Sequence, residues 1–317
     1  MTSTQISLQG TFSGSHDLQL FYQSWYPTRA APGSHKAGLH NAGLHNAGLL
    51  KGVLAIVHGL GEHSGRYCAV VKGLTAAGYA VFGFDNQGHG KSEGQRGHID
   101  SWQDYRNNAR TFLQLVRKKE PGVPLFVMGH SLGGLIVLDY VLRHGSSAEF
   151  RALQVQGLVV SAPPIEPMNN TATSTRVMLA RLLSGLLPRL TLKMGLDGGG
   201  LSRDRAVTVQ AAKDPLTHPY VTLRWGSETL STIAWVKAHI HQLTLPVLLT
   251  HGEADPIVSS AGTQAIFQQI QSPDKTLRLY PGSYHEPHND LDADQVVSDL
   301  LHWLDGHIAA EGLPKVC

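Results

Sequence analysis

One stretch constrains this chain more than any other. An apolar run, Leu125-Phe126-Val127-Met128, leads straight into Gly129-His130-Ser131-Leu132-Gly133-Gly134. Leu135, Ile136, Leu138, Val141 and Leu142 then recur at helical spacing. The order reads as strand, sharp turn, helix, with Ser131 at the apex of a G-x-S-x-G pattern. A residue on so tight a turn occupies a sparsely populated backbone region, and the residues two places to either side come close together. Glycine at 129 and 133 avoids the clash a side chain would make there. Five residues alone match by chance often enough that the pattern needs partners elsewhere.

The rest of the chain supplies a frame for it. Ile6–Phe12 and Leu18–Trp25 alternate as two strands around the turn Gly14-Ser15-His16-Asp17, which predicts an N-terminal hairpin. Short apolar runs at Val53–Val57, Ala80–Phe84, Leu125–Met128, Val155–Val160, Val247–Thr250 and Thr276–Tyr280 read as buried strands. Helical patterns at Tyr67–Ala77, Tyr105–Val116, Ser260–Ile270 and Gln295–Ile308 alternate with them. Such alternation predicts an α/β fold, a mostly parallel, doubly wound sheet with helices on both faces.

The alternation stops between about Pro163 and Leu243, where no convincing strand is found. Helices are expected at Thr175–Leu187, Arg205–Lys213 and Glu228–Ile240, with a glycine run at Gly198–Gly200. The expected organisation is a core over 1–162, a helical cap or lid over 163–243, and the rest of the core over 244–317. The leucine-rich helix carries a broad apolar face, which suits either packing or contact with a membrane surface. A pentapeptide repeat, Ala37-Gly38-Leu39-His40-Asn41 and its copies up to Leu50, reads as a low-complexity surface loop rather than a metal site.

Composition removes several function classes. A net charge of +2 on 317 residues offers no footprint for nucleic acid. Its one basic cluster, Arg117-Lys118-Lys119, falls at a helix C-terminus and suits the dipole there. Only Cys68 and Cys317 are present, too few for a disulfide framework and in keeping with a reducing compartment. The start, Met1-Thr2-Ser3-Thr4-Gln5, has no signal-peptide pattern, and no stretch is long and apolar enough for a membrane span. A cytoplasmic protein, touching membranes at most peripherally, is the expectation.

A serine hydroxyl near neutral pH needs a general base, and the base needs an orienting carboxylate. On a strand-turn-helix elbow the partners follow in the order Ser, acid, His, each in a loop after a strand. Asp255 follows the strand at Val247–Thr250, and His285 follows the last strand. Of eighteen histidines only His285 and His288 lie in that last loop. Glu253 is the fallback acid. Asp85 precedes the serine and reads as a turn former, Asp139 sits inside the helix after Ser131, and His130 is assigned to packing. His285-Glu286-Pro287-His288 is not a zinc motif, since proline opposes the helix that motif requires, so no metal is expected. Attack by Ser131 would create an oxyanion needing preorganised donors. The Leu132 N–H at a helix start is one, and the Leu60 N–H in the glycine-flanked loop after the Val53–Val57 strand is the other.

Several stretches together carry a resemblance. His58-Gly59-x-Gly61-Glu62-His63-Ser64-Gly65-Arg66-Tyr67, Asp85-x-x-Gly88-His89-Gly90-x-Ser92-x-Gly94, Gly129-His130-Ser131-x-Gly133-Gly134, Leu201-Ser202-Arg203, Asp214-Pro215-Leu216 and Gly282-x-Tyr284-His285 resemble the monoacylglycerol lipases of the α/β-hydrolase fold. The resemblance implies hydrolysis of monoacylglycerols, a lipid ester substrate, no cofactor, and a cap that forms an acyl tunnel and docks on membranes. It implies a triad of Ser131, Asp255 and His285, oxyanion donors at Leu60 and Leu132, and a polar pocket for the glycerol end at Glu62, Arg66 and His288. A buried ion pair tying down the oxyanion loop is the other reading of Glu62, Arg66 and His288. Two features depart from the family pattern: the pentapeptide insertion, and the glycine-rich cap between Leu186 and Arg203. The rival readings of function are a lysophospholipase or broad carboxylesterase with the same triad, and a catalytically silent binding protein.

Overall fold

The structure, a computed structural model, describes residues 6–28, 50–166, 183–194 and 198–308. Its frame is an eight-stranded sheet in the order β1-β2-β4-β3-β5-β6-β9-β10. The strands are β1 (Ile6–Ser13), β2 (Gln19–Tyr26), β3 (Gly52–Val57), β4 (Tyr79–Phe84), β5 (Leu125–His130), β6 (Val155–Ser161), β9 (Val247–Gly252) and β10 (Lys275–Tyr280). β1 and β2 form the expected hairpin, with Ile6 opposite Tyr26 and Ser13 opposite Gln19. β2 pairs antiparallel with β4, and every pairing from β4 to β10 is parallel.

The central strands are apolar throughout because both faces are covered. Alternate side chains point to opposite sides. Val53, Ala55, Val57 and Val127 join the core on one face, and Leu54, Ile56, Phe126 and Met128 that on the other. The first core is closed by α2 (Trp102–Lys119), α3 (Leu132–His144), α6 (Leu223–His239) and α7 (Ser260–Gln269), the second by α1 (Cys68–Ala76) and α8 (Ala293–Ile308). A short α4 (Ala148–Ala152) follows α3. α2 starts three residues before its apolar pattern does, because Ser101 and Asp104 close a capping box there. Arg117, Lys118 and Lys119 lie in its last turn, as expected.

Between β6 and β9, which are neighbours in the sheet, the chain makes its long excursion. Here one expectation is corrected. β7 (Thr191–Lys193) pairs antiparallel with β8 (Tyr220–Thr222), so this region is not free of strands. Three-residue strands fall below the length at which an alternating pattern is recognisable. The glycine run forms a 3-10 turn at Gly198–Gly200, and α5 (Arg205–Lys213) matches its expected range. Residues 183–186 are helical. Of the leucine-rich helix expected at Thr175–Leu187, residues 175–182, like the pentapeptide repeat up to Leu49, lie outside the described residues, and Leu187 falls just past the helix.

Candidate active site

β5 is one of the two central strands of the parallel region, and its end delivers Ser131 between β3 and β6. Ser131 has φ 50° and ψ −119°, a left-handed conformation rare for a residue with a side chain. Its N–H donates to the Ser161 carbonyl at 2.8 Å, which fixes the elbow to β6. The glycines do what the pattern required. A Cβ at Gly133 would run into the Val57 and His58 carbonyls, and one at Gly129 into the Gly133 carbonyl.

Two loops from distant parts of the chain meet this serine. The Ser131 hydroxyl lies 2.9 Å from His285 Nε2, and His285 Nδ1 lies 2.7 Å from Asp255 Oδ2. Asp255 is fixed in turn: its Oδ1 accepts the Ile257 and Val258 N–H groups at 2.8 and 3.0 Å. Its Oδ2 also faces His251 Nε2 at 3.1 Å, and His251 Nδ1 meets Thr263 Oγ1 at 2.7 Å. Burial alone would raise the Asp255 pKa, but the hydrogen bonds from His251, His285 and Val258 outweigh it and hold the carboxyl ionised, well below the usual carboxylate range. Burial disfavours a charged His285, yet the bonded Asp255 carboxylate and the nearby Glu286 and Glu62 raise its pKa above the ordinary imidazole value. The arrangement can take a proton from a serine hydroxyl and hold it as imidazolium.

His251 was passed over in the sequence. It is the penultimate residue of β9, four residues before Asp255, and nothing in its spacing separates it from a core histidine. Glu253, the fallback acid, is exposed, and its backbone N–H donates to Tyr280. Asp85 accepts the Ser64 N–H and hydroxyl at 2.8 and 2.6 Å and the Lys91 N–H at 2.8 Å, a loop former as expected. Asp139 is buried between Arg106 and Arg143. His130 is buried against Ser161, His285 and His288, and burial pushes its pKa well down, leaving it neutral.

The loop after β3 packs onto the elbow. A Cβ on Gly59 would lie 3.2 Å from the Ser131 Cβ, so this loop passes directly beside the nucleophile position. Leu60 sits at its turn, and Leu132 opens α3, where first-turn amides have no acceptor within the helix. Gly61, at φ 72°, turns its carbonyl to the His218 N–H at 3.0 Å, which pins the loop to the excursion between β6 and β9. Glu62 holds the same loop from beneath: its Oε1 accepts the Gly59 N–H at 2.6 Å and the Tyr67 hydroxyl at 2.9 Å.

Glu62, Arg66 and His288 lie together, but the main partner of Arg66 is Glu286, a residue given no role by the sequence. Arg66 forks onto Glu286 through two bonds of 2.7 and 2.8 Å, and reaches Glu62 only at 3.5 Å. Burial opposes ionisation of both carboxyls. Arg66 pulls the Glu286 pKa down, whereas Glu62, crowded by Glu286, has its pKa raised. His288 stacks flat on Tyr67, ring centres 4.8 Å apart, and burial pushes its pKa down to about 4. Both its ring nitrogens are buried without a partner among the described residues.

Comparison with known proteins agrees with this geometry. The family model described as Hydrolase_4, serine aminopeptidase S33, matches residues 49–292. The chain is 32% identical to the monoglyceride lipase of Mus musculus over 267 residues, covering 83% of this chain and 85% of that protein. Among solved structures it resembles the monoacylglycerol lipase of Paleococcus ferrophilus, at 32% identity and TM-score 0.72 over 81% of this chain and 95% of that one. It also resembles a soluble variant of monoglyceride lipase from Saccharomyces cerevisiae in complex with a substrate analog, at 26% identity and TM-score 0.77, covering 95% and 94% of the two chains. With the elbow, the sheet order and these likenesses in agreement, the chain belongs to the monoacylglycerol lipase family of α/β-hydrolases.

Proposed function

We propose that this enzyme hydrolyses the ester bond of monoacylglycerols to fatty acid and glycerol. The observation that carries the chemistry is the unbroken hydrogen-bonded chain from Ser131 through His285 to Asp255. In this reading His285 takes the hydroxyl proton as Ser131 Oγ attacks the ester carbonyl. The backbone N–H groups of Leu60 and Leu132 bind the oxyanion. His285 then hands its proton to the departing glycerol oxygen, and a water activated by the same imidazole frees the fatty acid from the acyl-serine. Asp255 stays ionised throughout and keeps the Nδ1 proton facing it. Glu62, Arg66 and His288 line the side of the site where the glycerol end would lie. No step requires a metal or organic cofactor.

A panel of oleoyl esters tests the substrate class. Monooleoylglycerol is expected to be turned over faster than dioleoylglycerol and lysophosphatidylcholine. Faster turnover of lysophosphatidylcholine would move the assignment to a lysophospholipase.

The segment 163–243 is read as the cap, and the same reading places the enzyme in the cytoplasm with the cap resting on a membrane. Leu186, Leu187, Leu190 and Leu192 stand exposed beside one another in sequence, Leu186 to 79%. Such a cluster on a folded surface marks an interaction site. Among the described residues no helix is long and apolar enough to cross a membrane, and Cys68 is a free thiol. Leu186→Ser with Leu187→Ser is expected to weaken binding to phosphatidylcholine vesicles by about tenfold for each leucine, following the free energy of burying one such side chain. Hydrolysis of a short, water-soluble ester should be unchanged. Vesicle binding equal to wild type would remove these leucines from the contact.

A further inference from the structure

The Arg66–Glu286 fork joins the two loops on which the proposed reaction depends. Arg66 stands at the end of the loop that carries Gly59 and Leu60. Glu286 directly follows His285. Both side chains are almost wholly buried, Arg66 at 10% and Glu286 at 3% exposure. Glu286 is braced on its other side as well. Its Oε2 accepts the Asn289 side-chain amide at 3.0 Å, and its N–H donates to the Leu201 carbonyl at 2.9 Å. Glu62 completes the strut: it holds the Gly59 amide and leaves the guanidinium to Glu286. A bidentate guanidinium–carboxylate pair fixes direction as well as distance. Here it runs between the loop that would donate to the oxyanion and the loop that presents the base.

We propose that Glu286 is a positioning residue: through its fork to Arg66 it locks the base loop to the oxyanion loop, and its charge beside His285 adds to that of Asp255 in placing the acid limb of the reaction. The proposal rests on the reading of Ser131, His285 and Asp255 as the catalytic triad.

The electrostatics give it a readout that a merely structural role lacks. The groups around His285 are Asp255 from the loop after β9, His251 from β9 on the same Asp255 oxygen, Glu286 and His288 from its own loop, Glu62 and Arg66 from the loop after β3, and His130 from β5. His130 and His288 are held neutral by burial, so they contribute little charge. Glu286 favours the imidazolium form of His285 more than Glu62 does. Removing its charge therefore lowers the His285 pKa. Glu62 takes over Arg66 in that variant, and its carboxylate compensates only in part, because the guanidinium then neutralises it. Since neutral imidazole is the reactive form, the acid limb of kcat/KM moves to lower pH.

Glu286→Gln tests this with a monoacylglycerol as substrate. kcat is expected to fall by about 10–100-fold, the size of loss that slight misplacement of reacting groups produces, with KM changed less than about threefold. The acid limb is expected to move down. An acid limb in the wild-type position overturns the proposal whatever the rate, as does wild-type kcat. Loss of the bidentate partner of a buried guanidinium is destabilising and can unfold the chain. In that case Arg66→Met with Glu286→Leu removes both charges in similar volume. A folded double variant with lowered kcat toward a short ester that carries no glycerol supports the positioning role, and one with wild-type kcat toward that ester overturns it. If the wild-type enzyme hydrolyses no ester, the triad reading has failed instead, and the two failures are distinguishable.

Discussion

Ser131→Ala is expected to lower kcat for ester hydrolysis by about 10⁶-fold while the protein remains folded. The size follows from what the hydroxyl does in the proposed reaction. It is the atom that would form the acyl bond, and the oxyanion donors proposed at Leu60 and Leu132 would retain only the part of the acceleration that does not need a covalent intermediate. Folding should survive, because the contacts that shape the elbow are made by backbone: the Ser131 N–H to Ser161, and the close approach of Gly129 and Gly133. Alanine has the same Cβ and faces the same left-handed φ, so the substitution adds no new strain at 131. Steady-state hydrolysis of monooleoylglycerol beside a thermal melt checks both halves. Activity within tenfold of wild type, from a homogeneous preparation, would remove Ser131 from the chemistry.

The elbow was legible in the sequence because its requirements are local. Two glycines two places from a serine, between a strand pattern and a helix pattern, leave few other backbone paths. Asp255 and His285 were legible for a different reason. In a parallel sheet the loops after the strands gather at one edge, so position after a strand becomes position in space. The same logic placed the Leu60 loop. Glu286 escaped because its role depends on a partner 220 residues away. No periodicity reports that pairing, and Glu286 itself figures in the sequence only inside a tetrapeptide that fails as a metal motif. His251 escaped because a polar residue ending a buried strand looks the same whether it packs or orients a carboxylate. β7 and β8 escaped because three residues hold too little pattern to detect, and their pairing depends on the surrounding excursion. What sequence pattern conveys here is which residues reach the site. Which buried charges then share which partner is decided by packing.

Asp255→Asn is expected to cost about 10⁴-fold in kcat, the loss seen when a triad histidine is forced into the wrong tautomer. The surroundings of Asp255 leave the amide little choice. Its Oδ1 position is held by the Ile257 and Val258 N–H groups, which require an acceptor there. The amide oxygen must therefore take that place, which turns the NH₂ toward His285 Nδ1 and His251 Nε2. His285 can meet a donor at Nδ1 only by accepting, so its proton moves to Nε2, the nitrogen that faces the Ser131 hydroxyl at 2.9 Å. An Nε2–H cannot receive the hydroxyl proton, and the base is lost although every heavy atom stays in place. The substitution also removes the carboxylate that raises the His285 pKa. In the wild type the acid limb of kcat/KM should lie above the ordinary imidazole value of about 6.5, since activity requires neutral His285 and falls as pH drops through its raised pKa. In Asp255→Asn the residual activity should carry an acid limb at lower pH, because the buried imidazole then keeps only Glu286 and Glu62 to stabilise its charge. Loss of rate with an unmoved limb would mean that Asp255 shapes the loop without acting on His285. Retention of rate would mean that another group orients the base.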